Sequence, residues 1–384
     1  MNSAAAGMPD FASPRGRAGR WLTEELLPGW ARSARHPAGG FVSGLSASGE
    51  PLIGQPRMLL VQARLAYSFA VAHKLGAPGD WALTAAKEAF AVIVDALRSA
   101  DGGFRQSTGP EGATRDFYDH AFVAFASAWM EHATGDAGYR SVLRETIAFL
   151  DDRMAHPAGG YRESLEPSAA PRRQNPHMHL LEALLAACRV TGEAEWLLRA
   201  RGIVDLFLAH FFDARTGSLI EFMTEDLAPC PGEKGDWREP GHHFEWVWLL
   251  LEYHALSGDE RVLAPIDRLY ASAMQHGVRG FADGRTGVIE AMSAAGDPLS
   301  LDRLLWPQTE YVKAEIARAR HFGDSDAAKR AERHFTEIRE LFFGNGALLW
   351  ANRLCPDGGS REDIVPTRVL YHVAFAAAEL ERGA

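Results

Sequence analysis

Residues 242–258, HHFEWVWLLLEYHALSG, form a segment of helical length that is apolar on almost every side and ends at Gly258. A surface helix keeps its apolar residues on one face, whereas a helix that is apolar all round is buried on every side. The segment RMLLVQARLAYSFAVAHKLG (57–76) has the same character and also ends at a glycine. Both segments are therefore predicted to be inner helices of a larger helical assembly.

The segments that follow such glycines have a different pattern. In residues 194–212, the side chains of Trp196, Val204, Phe207 and Phe211 share one stripe, and the charged residues lie away from it. This spacing is typical of an amphipathic helix with one buried face. The sequence thus predicts that outer helices alternate with inner ones.

Two interleaved series of glycines divide the chain into units of about 60 residues, and a fixed period of this kind indicates a repeated helical architecture. With an N-terminal segment near residues 18–35, the count is six outer and six inner helices. We predict an all-α fold, an (α/α)6 barrel with short β-hairpins and loops at the mouth. An open α-solenoid is the alternative. The glycines are Gly40, Gly103, Gly160, Gly217, Gly287 and Gly346 in one series, and Gly76, Gly135, Gly192, Gly258 and Gly323 in the other.

The ends and the charge of the chain limit the other possibilities. Residues 1–17 lack an apolar run and are expected to form a disordered leader, followed by a single barrel domain over residues 18–384. The formal net charge of -10 argues against a nucleic-acid partner. No apolar run reaches the roughly 18 residues that a membrane span needs. An odd number of cysteines without a CxxC pair favours the reducing cytoplasm.

In a barrel of this kind, the glycine turns bring the first turns of all six inner helices to one mouth. Histidine occurs near four of these six helix starts, in the strings DFYDH, NPHMH, PGHHFEW and RVLYH. A single buried histidine is usually a hydrogen-bonded core residue. Four together, accompanied by Arg, Tyr, Glu and Trp, are costly to bury without a role. The pattern therefore predicts a functional pocket at the mouth.

Three kinds of chemistry are compatible with these residues. His242 and Glu245 are spaced to share a metal ion, but the same spacing suits a carboxylate that orients an imidazole. Asp119, Glu245 and Glu310 make a glycosidase with paired carboxylates conceivable. The excess of histidines favours proton abstraction near neutral pH. We expect neither a metal nor another cofactor.

The strings QARLAYSFA, DFYDHAFV, NPHMHLLEA, PGHHFEWVWLL, WPQTEY and RVLYH occur in this order between residues 57 and 372. Together they resemble the N-acylglucosamine 2-epimerase family, which includes mannose isomerase, sulfoquinovose isomerase, mannose 2-epimerase and cellobiose 2-epimerase. The resemblance implies an (α/α)6 barrel, in agreement with the repeat count. It also implies metal-free sugar isomerisation in which His242 and His372 are the acid and base catalysts.

Within this family, the sequence is most similar to the bacterial mannose isomerases. The implied reaction interconverts D-mannose and D-fructose through a cis-enediolate, and the implied partner is a monosaccharide bound by a monomer or homodimer. A 2-epimerase acting on N-acetylglucosamine, mannose or cellobiose is the alternative from the same family. A non-catalytic sugar-binding barrel or a glycosidase is the alternative from other classes.

The remaining site residues have roles that follow from this chemistry. Arg64 is expected to stabilise the enediolate oxygen, with Arg57 as the fallback. Glu245 is expected to orient His242, and Glu310 to orient His372. The residues expected to contact the sugar are Tyr118, Asn175, His179, which is also expected to assist ring opening, and Trp306, on which the sugar would stack.

Two neighbouring arginines, Arg172 and Arg173, precede the third inner helix. They are positioned to meet a phosphate or sulfonate on a charged sugar. The favoured interpretation is that both are solvated loop residues.

Overall fold

The computed structural model describes residues 16–167, 170–344, 346, 348–360 and 362–383. The expected leader at residues 1–17 lies outside these ranges apart from Gly16 and Arg17, and Arg17 begins the first helix. Within the described ranges, twelve helical elements, α1 to α12, alternate between an outer and an inner ring.

The six outer elements continue into, or contain, wider π-helical turns. They are α1 (Arg17–Arg20, Trp21–Leu26 and Leu27–Ser33), α3 (Trp81–Val92 and Ile93–Leu97), α5 (Gly138–Phe149 and Leu150–Met154), α7 (Ala194–Leu206 and Phe207–Phe211), α9 (Leu263–Ser272 and Ala273–Gly277) and α11 (Ser325–Ile338 and Arg339–Phe343).

The six inner helices are buried over most of their length. They are α2 (Leu59–Lys74), α4 (Phe117–Thr134), α6 (Gln174–Thr191), α8 (Pro240–Ser257), α10 (Leu305–Phe322) and α12 (Leu370–Arg382). As the glycine series predicts, α4, α6, α8 and α10 each end at a glycine in the left-handed conformation. Three further single turns occur at Glu233–Asp236, Glu260–Val262 and Thr367–Val369.

Short antiparallel strand pairs connect the loops between the helices. In the described residues they are Gly44–Ser46 with Ile364–Pro366, Arg172–Arg173 with Phe222–Met223, Phe212–Asp213 with Ser218–Leu219, Val278–Gly280 with Thr286–Val288, Ala291–Met292 with Pro298–Ser300, and Arg303–Leu304 with Arg353–Leu354.

Contacts between the first and the last helical hairpin close the ring. The strand Gly44–Ser46 pairs with Ile364–Pro366. Nearby, Oγ1 of Thr367 donates a 2.7 Å hydrogen bond to the carbonyl oxygen of Val42. The (α/α)6 barrel is therefore confirmed, and the open solenoid is excluded.

A repeated hydrogen bond holds each of five glycine turns against the inner helix that follows. In His120, His177 and His243, Nδ1 donates to the backbone carbonyl four residues earlier, and Nε2 accepts a backbone N–H of the turn. Burial lowers the pKa of these histidines to about 4, 3 and 4, so they remain neutral. The three histidines accept the N–H groups of Phe104, Tyr161 and Leu219, respectively. In the other two turns a glutamine side-chain oxygen is the acceptor: Gln62 accepts the N–H of Phe41, and Gln308 accepts the N–H of Val288.

The axis of the barrel is filled with aromatic rings near the middle of the inner helices. The ring centroid of Tyr67 lies 4.8 Å from that of Phe125 and 5.1 Å from that of Phe375, which packs 4.8 Å from Trp248. These residues lie beyond the first helical turns, so the space at the mouth has a closed floor. None of the described helices is long and apolar enough to span a membrane.

Candidate active site

A cavity of about 460 Å³ opens at the first turns of the inner helices. Eight of the ten residues predicted from the sequence line it: Arg64, Tyr118, Asn175, His179, His242, Glu245, Trp306 and His372. Glu310 lies behind His372, and Arg57 lies outside the cavity. Most of the side chains that line the cavity are polar or charged.

His242 is held by acidic residues in the first turn of α8. Its Nδ1 lies 2.9 Å from Oε2 of Glu221 and 3.5 Å from Oε2 of Glu239. Burial disfavours the charged imidazole, but Glu221 and Glu239 outweigh this penalty and raise the pKa of His242 to about 10. His242 is therefore protonated at neutral pH.

Asn175 contacts the other ring nitrogen of His242. Its amide nitrogen lies 3.2 Å from Nε2, and its buried oxygen Oδ1 has no hydrogen-bond partner among the described residues. A protonated Nε2 donates, so rotation of the amide would bring Oδ1 to it as the acceptor. Asn175 can therefore hydrogen-bond to Nε2 of His242 in either protonation state of the imidazole, through its amide nitrogen or through its oxygen.

His372, in the first turn of α12, is neutral, in contrast to His242. Its Nδ1 donates to Oε1 of Glu310 over 2.8 Å. Burial lowers the pKa of His372 to about 3, and the nearby charges of Arg64 and Lys313 offset the attraction of Glu310. The Nζ atom of Lys313 lies 2.7 Å from Oε2 of Glu310. His372 is therefore a neutral base with Nε2 available.

The indole ring of Trp306 lies beside both histidines. Its centroid is 4.8 Å from that of His242 and 5.8 Å from that of His372. A proton donor and a proton acceptor thus border the same part of the cavity, next to an apolar surface on which a sugar can stack.

Arg64 supplies an unneutralised positive charge. Its side chain is 4% exposed and donates to the hydroxyl of Tyr118 over 2.7 Å and to the carbonyl of Arg368 over 3.0 Å. It forms no ion pair with any carboxylate of the described residues. Because a buried, unpaired cation is unfavourable, Arg64 is suited to meet negative charge that develops on a ligand.

His179 lies on the other side of Tyr118. Its Nε2 is 3.4 Å from the Tyr118 hydroxyl, and its Nδ1 is 3.0 Å from Oε2 of Glu182. Burial, together with the charges of Arg64 and Lys313, lowers the pKa of His179 well below its usual value. The side chain is a neutral imidazole next to the cavity.

A family model described as N-acylglucosamine 2-epimerase matches residues 39–376. The chain belongs to this family. A mannose-6-phosphate isomerase of Rhizobium meliloti (strain 1021) is 33% identical over 391 residues, which cover 97% of this chain and 98% of the relative. A D-mannose isomerase of Pseudomonas cannabina pv. alisalensis is 30% identical and covers 92% of this chain and 90% of the relative.

Solved structures agree with this assignment. Cellobiose 2-epimerase from Spirochaeta thermophila DSM 6192 has a TM-score of 0.82 and 25% identity, with 95% of each chain covered. A D-mannose isomerase has a TM-score of 0.83 at 19% identity, over 96% of this chain and 99% of the other, which shows the shared fold. The protein is thus a sugar isomerase or epimerase of the N-acylglucosamine 2-epimerase family.

Two predicted roles are wrong for this family member. Glu245 does not orient His242, because Nδ1 of His242 turns to Glu221, and Oε1 of Glu245 instead lies 4.0 Å from both Lys313 Nζ and His179 Nδ1. Arg57 precedes α2 and donates to the backbone carbonyls of residues 38 and 39 over 2.9 and 3.0 Å. Arg57 therefore stabilises the first glycine turn.

The expectation that Arg172 and Arg173 are solvated is wrong for Arg172, whereas Arg173, with 36% of its side chain exposed, remains partly solvated. Arg172 is 1% exposed and donates to the backbone carbonyls of Gly159 and Glu225 over 2.5 and 3.0 Å. Arg173 lines the cavity, and its Nε donates to Oε2 of Glu163 over 2.7 Å. Arg172 is structural, whereas Arg173 borders the ligand space.

Glu221 is the main functional residue that the motif analysis missed. It follows a glycine turn in RTGSLIEF (215–222), and the next unit contains the similar string RTGVIEAM (285–292). Glu290 of that second string binds Arg353, another residue of the cavity wall. The repeated Ile-Glu pair after a glycine turn was the available signal.

Three groups among the described residues have the composition of a metal site, with ligand atoms within 4.8 Å of one another. Lys313 lies beside two of them, 2.7 Å from Glu310 and 4.0 Å from Glu245, so a cation already faces those carboxylates. The groups are His179 with Glu182 and Glu245, Glu221 with Glu239 and His242, and Glu245 with Glu310 and His372.

Proposed function

We propose that the protein is a metal-free, cofactor-free isomerase that interconverts D-mannose and D-fructose. The observation that carries the proposal is that a protonated His242 and a neutral His372 both lie next to Trp306 in one cavity. Aldose–ketose isomerisation needs a base for the acidic proton beside the carbonyl and an acid near the same carbons, and both groups are tuned by buried glutamates.

The reaction begins with the sugar in its open-chain form. Nε2 of His372 takes the proton from C2, and the electron pair moves to form the C1–C2 double bond of a cis-enediolate. Arg64 is placed to stabilise the negative charge on the enediolate oxygen. Return of the proton to C1, with transfer of the O2 hydroxyl proton to O1, gives the ketose.

The same intermediate explains the alternative product. If His242 delivers its proton to the opposite face of C2, the enediolate becomes the 2-epimer. Which carbon is protonated depends on how the enediolate lies between His242 and His372. Relatives named as D-mannose isomerases support the ketose outcome.

Proton NMR of chelator-treated enzyme with D-mannose in deuterated water tests the proposal. Fructose with exchange at C2 is the expected result. Glucose without accumulating fructose would identify a 2-epimerase instead. Absence of any product and of deuterium at C2 would exclude free mannose as the substrate.

A phosphorylated hexose is the second candidate substrate, favoured by the arginines of the cavity. The side chain of Arg368 is exposed at the cavity and has no hydrogen bond or ion pair among the described residues. Burial raises the pKa of the Tyr118 hydroxyl. The positive charges of Arg64, Arg173 and Arg368 act in the other direction and lower it. The Rhizobium meliloti relative is named for mannose 6-phosphate. Comparing kcat/KM for mannose and mannose 6-phosphate distinguishes the two candidates.

A further inference from the structure

A buried carboxylate behind the cavity wall connects two residues of the site. Glu182 on α6 is 2% exposed and does not line the sugar cavity. Its Oε2 lies 3.0 Å from Nδ1 of His179, and both of its oxygens lie 2.6 Å from the hydroxyl of Tyr371. No arginine or lysine pairs directly with Glu182 in the described residues.

These contacts determine which nitrogen of His179 carries the proton. Burial raises the pKa of Glu182 to about 7, and above that pH the ionised carboxylate only accepts hydrogen bonds, so Tyr371 donates its O–H and His179 donates from Nδ1. A neutral imidazole has one N–H, and a proton on Nδ1 leaves Nε2 with a lone pair. Nε2 is the atom that faces Tyr118 and the cavity.

We infer that Glu182 is a positioning residue that holds His179 in the Nδ1–H tautomer, so that Nε2 acts as the base that opens the sugar ring. The inference rests on the proposed function, because it concerns the cyclic form of the same substrate. It assigns to Glu182 an effect on ring opening that is separable from proton transfer at C2.

The ring-opening step balances with His179 alone. Nε2 takes the proton of the anomeric hydroxyl, and the C1–O1 bond becomes a carbonyl. The C1–O5 bond breaks, and its electron pair goes to O5. The imidazolium then returns the proton to O5, which restores neutral His179. In the other tautomer, Nε2 would carry a hydrogen and could not accept the hydroxyl proton.

Mutarotation of D-mannose, followed by optical rotation, measures ring opening without any carbon–hydrogen chemistry. His372→Ala is the background for this assay because it removes the proposed C2 base. In that background, we expect Glu182→Gln to lower the enzyme-catalysed mutarotation rate by about 10- to 100-fold, the range found when a metal-binding histidine loses the partner that fixes its tautomer. Mutarotation that continues at the parent rate would overturn the assignment.

The tautomer itself can be observed by ¹⁵N NMR of the His179 side chain. Above pH 7, where Glu182 is ionised, the wild-type protein is expected to show a protonated Nδ1 and an unprotonated Nε2, and Glu182→Gln is expected to lose this signature because an amide can donate to Nδ1. Tyr371→Phe removes the other hydrogen bond of Glu182 and should leave the signature in place. An unprotonated Nδ1 in the wild-type protein would contradict the inference even if Glu182→Gln failed to fold.

The two proposals can fail separately. If Glu182→Gln keeps normal mutarotation but loses deuterium exchange at C2, Glu182 acts through Tyr371 and its neighbour His372, and the assignment to His179 is wrong. If the wild-type enzyme catalyses mutarotation of mannose without exchange at C2, the proposed isomerisation fails while the tautomer and mutarotation tests still decide the role of Glu182.

Discussion

His242 and Glu221 are 2.9 Å apart, Nδ1 to Oε2, although the two residues belong to different structural elements. Glu221 lies between two short strands and is itself fixed, because Gln174 donates to its Oε2 over 2.8 Å. Gln174 in turn accepts a 2.6 Å hydrogen bond from the indole N–H of Trp246. The charge that holds the proton on His242 is therefore rigidly positioned.

Glu221→Gln should move the alkaline limb of the pH profile to lower pH. The negative charges of Glu221 and Glu239 outweigh burial and raise the pKa of His242 to about 10, so removing the charge of Glu221 lets the proton leave at lower pH, toward the ordinary value of about 6.5. Activity that needs protonated His242 is then lost earlier as pH rises. The measurement is kcat/KM across neutral and alkaline pH.

Glu290→Gln is the matched control, because Glu290 follows the corresponding turn of the next unit but pairs with Arg353. Its alkaline limb should stay in place. An unshifted limb in Glu221→Gln would contradict the assignment of His242 as the acid.

His242→Ala and His372→Ala should each lower kcat by at least about 100-fold, the usual contribution of a general acid or base. Both variants should retain the fold and much of the affinity for the sugar, as judged by circular dichroism and calorimetry. His254→Ala, at the far end of α8, is the control and should keep its activity. Treatment with EDTA is expected to have no effect, and loss of activity that added metal restores would refute the metal-free mechanism.

Arg368→Ala should change selectivity if the enzyme accepts phosphorylated sugars. Hydrogen bonds to charged groups contribute about 1.5 to 3 kcal/mol, so the ratio of kcat/KM for mannose 6-phosphate to that for mannose should fall by about 10- to 100-fold. Measuring both sugars with the same variant provides the internal control. A constant ratio would show that Arg368 does not contact the phosphate.

Glu252→Gln should destabilise the barrel at the end away from the cavity. Glu252 on α8 pairs with Arg189 on α6, Arg320 on α10 and Arg382 on α12 over 2.5, 2.9 and 2.9 Å. Removing the buried carboxylate takes one partner from each of three arginines, and the free energy of unfolding should fall by about 3 kcal/mol. Denaturant unfolding measures the change.

The exposed pair of Lys329 and Asp326 provides the comparison for this prediction. Asp326→Asn should change the free energy of unfolding by less than about 1 kcal/mol, because exposed ion pairs contribute little. Equal effects at Glu252 and Asp326 would mean that the network does not tie the inner helices together.

The architecture was predictable because its signals are local and repeated. Glycines that end helices, apolar inner segments and amphipathic outer segments recur in each unit. The number of these units was therefore enough to predict a barrel of six helical hairpins. Eight of the predicted site residues line one cavity for a similar reason: every inner helix begins at the same mouth.

Roles were less predictable than locations, because adjacent residues of the same type serve different purposes. His242 faces the cavity, whereas His243 holds the N–H of Leu219 in a glycine turn. Residue type does not distinguish them, since the rotation of the helix about its axis depends on tertiary packing. The partner of His242 was missed because Glu221 comes from a separate turn rather than from the same helix.

The closure between the first and last hairpins has a consequence for how the chain folds. Thr367 and Val42 are separated by 325 residues, whereas neighbouring hairpins are joined over about 60. Loop-closure entropy grows with the logarithm of length, so this longer link costs only about 1.5 kcal/mol more. Contacts of such long range nevertheless form slowly. We therefore expect the seam between α2 and α12 to assemble last and to open first, which amide hydrogen exchange on these two helices would reveal as the weakest protection in the inner ring.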